Sequence, residues 1–215
     1  MEHLKSLTDL VSEMSLCKNC PLNQSPYDPG LVVPGVGSPT ARVFAIGEAP
    51  GEVESKTGVP FVGPAGKLLQ DLMIQAGYDA DSIYVTNAVK HRPPSNRTPT
   101  VEERKACSHF LAAQILAVNP RVILAIGKSA AKAVAELGGV EIPDTGLRGY
   151  TFTIGINDKT WPVFCTWHPA YVLRNPKGTA GPELLSDLKA VLTFAELPDD
   201  CITSTTDNYG SPCEA

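Results

Sequence analysis

Residues 42–66 read RVFAIGEAPGEVESKTGVPFVGPAG, a short apolar run followed by a long segment rich in glycine and proline. The apolar run from Arg42 to Ile46 ends at Gly47, and such a bounded run is typical of a buried strand. We interpret the following segment, from Gly47 to Gly66, as a loop. Loops longer than about 12–15 residues in compact domains usually have a function. This stretch therefore predicts a buried strand whose carboxyl end leads directly into a functional loop.

Strands and helices are predicted to alternate along most of the chain. Strands are expected at residues 42–46, 83–86, 121–126 and 163–166, and helices at residues 3–16, 65–76, 100–118, 128–137 and 183–195. This alternation predicts an α/β fold, a three-layer α/β/α sandwich around a mostly parallel, four-stranded sheet. Ligands bind beyond the carboxyl ends of the strands in such sheets. Glu48, Asn87 and His168 follow the first, second and fourth strands, so we expect them to share one site.

The composition of the 215-residue chain is that of a globular protein, with 43% hydrophobic and 19% charged residues. We expect a single domain over residues 1–198, with a loop at residues 21–40 and a fraying polar tail at residues 199–215. No apolar run reaches the roughly 18 residues of a membrane span. The N-terminus also lacks the basic start and apolar core of a signal peptide. We therefore expect a cytoplasmic protein, and we also expect it to be a monomer.

The charge balance leaves DNA binding open. A net charge of −5 counts mildly against nucleic acid as a partner. A local basic face can nevertheless hold phosphates. The candidates for such a face are Lys90, His91, Arg92, Arg97, Arg174 and Lys177.

Six short segments occur in an order and spacing that resemble one known family. They are residues 47–51 (GEAPG), 58–63 (GVPFVG), 65–69 (AGKLL), 86–90 (TNAVK), 92–97 (RPPSNR) and 168–174 (HPAYVLR). Together they resemble the motifs of the iron–sulfur-containing, family 4 uracil-DNA glycosylases, and the resemblance runs from Cys17 to Leu192. It implies hydrolytic release of uracil from single- or double-stranded DNA, which leaves an abasic site for base excision repair.

The chemistry of that reaction calls for four kinds of group. Cleavage of an N-glycosidic bond builds positive charge on the sugar and negative charge on the departing base. A carboxylate can stabilise the cation or orient water, and donors can hold the anion. The flipped base also needs a ring to stack on and polar groups that read its edge. The resemblance assigns these roles to Glu48 as the carboxylate, Phe61 as the stacking ring, Asn87 as the uracil reader and His168 as the donor near uracil O2.

The Asn87 amide is expected to donate to O4 of uracil and to accept from its N3 hydrogen, a pattern that cytosine reverses. Ala49 and Pro50 are expected to contact the base through their backbone, and Glu54 to help exclude the thymine methyl group. The expected contacts with the DNA backbone are Asn96, Arg97 and Arg174. Each of these side chains also has an ordinary structural explanation, as a cap, a core ring, a turn residue or solvated surface.

The resemblance also implies a [4Fe–4S] cluster. The family uses four cysteines, three of which match Cys17, Cys20 and Cys107, and His91 stands in the place of the fourth. A histidine can ligate an iron–sulfur cluster, so we expect a cluster held by these four residues. The same residues suit a structural zinc ion. Loss of the cluster, with His91 facing solvent or DNA, is the remaining alternative.

Other activities stay open beside this one. Residues 87–91 also resemble a branch of the superfamily that becomes crosslinked to DNA through a second histidine in a longer insertion. Residues 92–97 form a short loop without histidine, so we expect ordinary turnover. A catalytically silent uracil- or DNA-binding module is the main alternative, favoured by His91 and by the acidic charge. A small-molecule enzyme that binds phosphate is disfavoured, because residues 47–51 lack the phosphate-cradle pattern and its lysine.

Overall fold

The computed structural model describes residues 5–24 and 31–198, and a sheet of six strands lies at its centre. The strands are β1 (Val36–Gly37), β2 (Val43–Gly47), β3 (Ile83–Asn87), β4 (Val122–Ile126), β5 (Thr151–Ile156) and β6 (Lys159–Thr166). Their order across the sheet is β1-β3-β2-β4-β6-β5. The four inner strands run parallel, whereas β1 and β5 pair antiparallel at the edges. The predicted α/β class is confirmed, and the predicted count of four strands is corrected to six.

The two edge strands account for the difference. β1 has two residues and lies within residues 21–40, which were predicted to form a loop. β5 is a partly exposed strand that forms a hairpin with β6 through Asn157, whose backbone is left-handed (φ 54°). Pairing with β5 also extends β6 back to Lys159, upstream of the predicted start at residue 163. Short or half-exposed antiparallel strands lack the continuous apolar run that identified the inner strands.

Seven α-helices flank the sheet within the described residues. They are α1 (Leu7–Leu16), α2 (Glu52–Thr57), α3 (Pro64–Ala76), α4 (Val101–Val118), α5 (Lys128–Gly138), α6 (Pro169–Arg174) and α7 (Ala180–Glu196). Five of them correspond to the predicted helices, and capping boxes at Ser6 and Thr100 begin α1 and α4. α2 and α6 are additional. α2 lies within the segment predicted as a loop, and its six residues are too few for an apolar period to be visible.

Two hydrophobic cores, one on each face of the sheet, make the three layers. Side chains of α4 and α5 pack on one face, and side chains of α3 and α7 pack on the other. In β2, Phe44 and Ile46 belong to the first core, and Val43 and Ala45 belong to the second, as the two-residue period of a strand requires. All residues of β2 and β4 are buried, which is typical of parallel strands covered on both faces.

The carboxyl ends of the inner strands meet at one edge of the sheet. Gly47 of β2 pairs with Asn87 of β3, and Ile126 of β4 pairs with Thr166 of β6. The residues that follow these strands must therefore lie close together. This edge is where the sequence predicted a shared site.

Two other expectations concern the whole chain. Within residues 5–24 and 31–198, no helix combines the length and the apolar character needed to cross a membrane. The predicted tail at residues 199–215 lies outside the described residues. The division into one domain and a tail therefore stays a prediction.

Candidate active site

A cleft of about 740 Å³ opens at the carboxyl edge of the sheet. This volume lies within the range of roughly 300–1,000 Å³ that is usual for small-ligand sites. The residues predicted to contact the base or the DNA all line it: Glu48, Ala49, Pro50, Phe61, Asn87, Asn96, Arg97, His168 and Arg174. The structure thus brings together residues that are distant in the sequence, whereas the predicted metal ligands are not among those that line the cleft.

The buried carboxylate of Glu54 holds the loop after β2 in shape. Its Oε2 accepts the N–H of Gly51 at 3.1 Å, and its Oε1 accepts the N–H groups of Val62 at 3.0 Å and Gly63 at 2.7 Å. One side chain therefore ties the start of α2 to the segment in front of α3. Glu54 lines the cleft, but its oxygens are occupied by the backbone. Exclusion of the thymine methyl group by Glu54 stays a prediction.

Phe61 and Asn87 converge above the end of β2. A Cβ atom on Gly47 would collide with the Phe61 ring and with Asn87 Oδ1, so glycine is required there. Phe61 has a left-handed backbone (φ 55°), which costs a non-glycine residue about 1–3 kcal/mol. Gln70 Nε2 donates to the Phe61 carbonyl at 2.9 Å, and Gly66 leaves room for that carbonyl. The surrounding residues therefore stabilise a strained backbone that places the ring in the cleft.

Glu48 and Asn87 keep their polar atoms available for a ligand. Asn87 ends β3 and is only 3% exposed, and Glu48 is half-buried just beyond β2. Within the residues that the structure describes, neither side chain has a hydrogen bond or an ion pair with protein. Both residues line the cleft, and neither has a polar side-chain atom among the buried atoms that lack a partner. A carboxylate and an amide without protein partners in one cleft therefore indicate a polar ligand.

His168 caps the N-terminus of α6, and one hydrogen bond determines its tautomer. Its Nδ1 accepts the N–H of Ala170 at 3.1 Å. Because the accepting nitrogen carries no proton, the proton of the neutral ring is on Nε2. Burial, together with the positive charge of Arg174, lowers the pKa of His168 to about 4. The imidazole is therefore neutral at physiological pH, with Nε2–H as its donor.

The three predicted DNA contacts lie at the mouth of the cleft. Arg97 forms a bidentate ion pair with Glu103, with N–O distances of 2.8 and 2.6 Å. Asn96 accepts a hydrogen bond from Arg92 Nε at 2.7 Å and has a left-handed backbone. Arg174 is exposed at the end of α6. A phosphate at Arg97 would thus meet a guanidinium that is already oriented by a carboxylate.

The predicted basic face is smaller than the sequence suggested. Lys90 is fully buried and His91 is 7% exposed, so neither belongs to the surface. Arg174 and Lys177 are exposed, as predicted for a basic face. The run of basic residues that begins at Lys90 predicted a surface strip, but the chain turns inward after β3.

The junction of β4 and α5 contributes three cleft residues that were not predicted: Gly127, which lies between the two elements, and Lys128 and Ser129, which begin α5. Gly127 has a left-handed backbone (φ 87°), and the His168 side chain lies against it. Ser129 Oγ is buried, and no described residue forms a hydrogen bond with it. The sequence could have predicted these residues, because the third predicted strand ends at Ile126 and the residues after it lie at the same edge of the sheet.

Three of the four predicted cluster ligands come together away from the cleft. Cys17, Cys20 and Cys107 belong to a small hydrophobic cluster around α1 and α4. Burial raises the pKa of the Cys107 thiol to about 11, and the nearby ammonium of Lys90 opposes this rise. His91 is buried, which argues against its facing solvent, and burial lowers its pKa. Among the described residues, however, no group of three or more His, Cys, Asp or Glu side chains is arranged to hold a metal ion. The donor chemistry suits an iron–sulfur or zinc centre, but the arrangement is not that of a formed metal site.

Comparison with known proteins identifies the family. The model of the Uracil DNA glycosylase superfamily matches residues 34–192, and the chain belongs to this superfamily. Among its relatives is a "Type-4 uracil-DNA glycosylase" of Thermotoga maritima, 40% identical over 191 residues that make up 88% of this chain and 95% of the relative. A protein of the same name from Archaeoglobus fulgidus is 36% identical over 189 residues, with 87% and 92% covered. Another, from Sulfurisphaera tokodaii, is 39% identical over 175 residues, with 80% and 78% covered. The resemblance to family 4 is thus confirmed.

Proposed function

We propose that the protein is a uracil-DNA glycosylase that hydrolyses the N-glycosidic bond of deoxyuridine in DNA and leaves an abasic site. The observation that carries this proposal is the convergence of four groups on one cleft: a ring, an amide, a carboxylate and a neutral imidazole. The amide and the carboxylate have no protein partners within the described residues. Membership of the uracil-DNA glycosylase superfamily supports the proposal.

Uracil is recognised by Phe61 and Asn87. The flipped base stacks on the Phe61 ring, while the Asn87 amide donates to O4 and accepts from the N3 hydrogen. Cytosine has an amino group in place of O4 and no hydrogen on N3, so it would leave both amide atoms of Asn87 unpaired. Unpaired buried polar groups are costly, and sites built in this way reject the wrong ligand strongly. The backbone of Ala49 and Pro50 completes the wall of the base site.

Cleavage separates charge, and the site has one group for each charge. As the bond between N1 and C1′ breaks, its electron pair goes to the base, and the negative charge on O2 accepts a hydrogen bond from Nε2–H of His168. The sugar becomes cationic opposite the carboxylate of Glu48. A water oriented by Glu48 bonds to C1′ and gives its proton to that carboxylate. The departed base takes up a proton from solvent and Glu48 returns its proton to solvent, so that free uracil and an abasic site result.

We also propose how the chain meets DNA. Asn96, Arg97 and Arg174 surround the mouth of the cleft and would contact the backbone on either side of the flipped nucleotide. The proposed unit is one domain over residues 1–198 that acts as a monomer in the cytoplasm. Sedimentation of the purified protein and fractionation of the host cell would test the last two points.

We further propose that Cys17, Cys20, His91 and Cys107 hold a [4Fe–4S] cluster, with zinc as the alternative metal. The type-4 name of the relatives is consistent with a cluster. When bound, it would have a structural role and tie the N-terminal segment to α4. Iron, labile sulfide and zinc should be quantified in protein purified without air. About four iron and four sulfide per chain would support the cluster, and one zinc per chain would support the alternative. A protein that contains neither iron nor zinc would contradict the proposal.

The activity is tested on a labelled oligonucleotide that contains one uracil. Wild type, Glu48→Gln and the control Glu141→Gln, at an exposed position away from the cleft, are compared after alkali treatment. We expect strand cleavage with wild type and with the control, and a rate about 10²–10⁴-fold lower for Glu48→Gln. Binding to uracil-containing DNA without any product would instead indicate a silent binding module. A shifted, heat-stable band on a denaturing gel would contradict hydrolytic turnover.

A further inference from the structure

Lys90 is a buried cation that the reaction described above does not use. Its side chain is fully buried, behind the end of β3. Among the described residues, no carboxylate forms an ion pair with it. Burial of an ammonium group without a carboxylate partner costs several kcal/mol, and a methionine of similar length would fill the same space without that cost. The hydrogen bonds that Lys90 donates are therefore the feature to explain.

Those hydrogen bonds hold the peptide unit that follows the uracil reader. Lys90 Nζ donates to the Asn87 carbonyl at 2.6 Å and to Thr86 Oγ1 at 2.8 Å. On the other side, the N–H of Ala88 donates to the Gly47 carbonyl at 2.9 Å. The peptide between Asn87 and Ala88 is thus held at its oxygen by an ammonium and at its nitrogen by the neighbouring strand.

Lys90 is itself fixed by the segment that leads into β1. The N–H of Val33 donates to the Lys90 carbonyl at 2.8 Å. Thr86 Oγ1, one acceptor of the ammonium, donates in turn to the Pro34 carbonyl at 2.6 Å. Both ends of the Lys90 residue are therefore anchored, and the position of its Nζ is determined by the fold.

We propose that Lys90 is a positioning residue for base recognition: its ammonium fixes the peptide of Asn87 and so holds the Asn87 amide at the angle that reads uracil. The inference rests on the proposed function. Hydrogen bonds weaken steeply when the donor angle departs from linearity, and a recognition site must keep its groups within about 0.5 Å of the productive geometry. The Asn87 amide has no partner among residues 5–24 and 31–198, so it depends on its backbone for that accuracy.

A double-mutant cycle tests the proposal. Single-turnover excision of uracil is measured for wild type, Lys90→Met, Asn87→Ala and the double variant, together with affinity for DNA that carries an abasic site. We expect Lys90→Met to slow excision about 10- to 100-fold when Asn87 is present, and to have little further effect after Asn87→Ala. Affinity for abasic DNA should change by less than about twofold, because the mouth of the cleft is untouched.

The outcomes separate the inference from the function on which it rests. Equal slowing by Lys90→Met in both backgrounds would show a general structural role and overturn the inference, and so would full activity of Lys90→Met. If wild type released no uracil, the proposed function itself would fail. Thr86→Val keeps the lysine and removes one of its acceptors, so it replaces Lys90→Met if that variant does not fold. It should show a smaller loss with the same dependence on Asn87, and a loss independent of Asn87 would overturn the inference.

Discussion

The substitution Glu54→Gln keeps the size of the side chain and removes part of its capacity to accept hydrogen bonds. Glu54 accepts three backbone N–H groups with its two oxygens. Glutamine has one oxygen, which can replace Oε1 and keep the bonds from Val62 and Gly63. Its NH₂ group would then face the N–H of Gly51, donor against donor. The start of α2 would therefore lose its tie to the segment in front of α3.

The size of the effect follows from these contacts. The bond to Gly51 is lost and leaves an unsatisfied, partly buried donor, at a cost of about 1–3 kcal/mol. The two remaining bonds lose the charge of the carboxylate, which reduces each by roughly 1 kcal/mol. The free energy of unfolding should therefore fall by about 3–5 kcal/mol. The matched control Glu52→Gln, in an exposed ion pair with Lys56 on the same helix, should cost less than about 1 kcal/mol.

Urea unfolding followed by circular dichroism gives both free energies, and the oligonucleotide assay gives the activity. We expect Glu54→Gln to reduce kcat as well, because Phe61 and Pro50 lie in the loop that Glu54 organises. A loss of stability no larger than that of Glu52→Gln would refute the reasoning. Unchanged stability with selective cleavage of thymine would instead support the role of Glu54 against the thymine methyl group.

Two further predictions concern pH and packing. The free energy of unfolding should fall as the pH drops from 6.5 towards 4, because the unfolded chain binds a proton at His168 in this range while the folded chain does so only near pH 4. The loss should reach about 3 kcal/mol. His91 also has a lowered pKa and acts in the same direction. Urea unfolding at several pH values measures this dependence, and His168→Gln should make the free energy of unfolding less dependent on pH. Gly66→Ala should greatly lower the melting temperature, since its Cβ would collide with the backbone of Phe61, whereas Gly155→Ala has room and should melt near wild type. Similar melting temperatures for the two variants would contradict the packing argument.

The parts of the fold that the sequence predicted are those with a local signal. The four inner strands were found because each is a continuous apolar run between turn residues. Glu48, Asn87 and His168 could be placed in one site because parallel strands end at the same edge. The same rule applied to the third strand would have found Gly127 and Ser129 as well.

The parts that the sequence did not predict depend on contacts between distant segments. α2 forms after β2 because the Glu54 side chain accepts backbone N–H groups before and after this helix. Contacts of this kind leave no periodic pattern in the sequence. Lys90 stands in a run of basic residues and was taken for surface, yet the fold buries it against the end of β3. Cys17, Cys20 and Cys107 were expected to hold a cluster with His91; the structure gathers the three thiols around α1 and α4, and their role as ligands stays a prediction.

The floor and the mouth of the cleft are built from different kinds of structure. The floor, with Phe61 and Asn87, is attached to strands that two cores cover, whereas Asn96 and Arg174 stand on exposed segments at the surface. Residues at the surface tolerate substitution far better than residues between packed layers. With the proposed roles of these residues, recognition of the base and contact with the DNA backbone should therefore be separable. Substitutions at Asn96 or Arg174 should change how the protein binds DNA, while the proposed discrimination between uracil and cytosine stays intact.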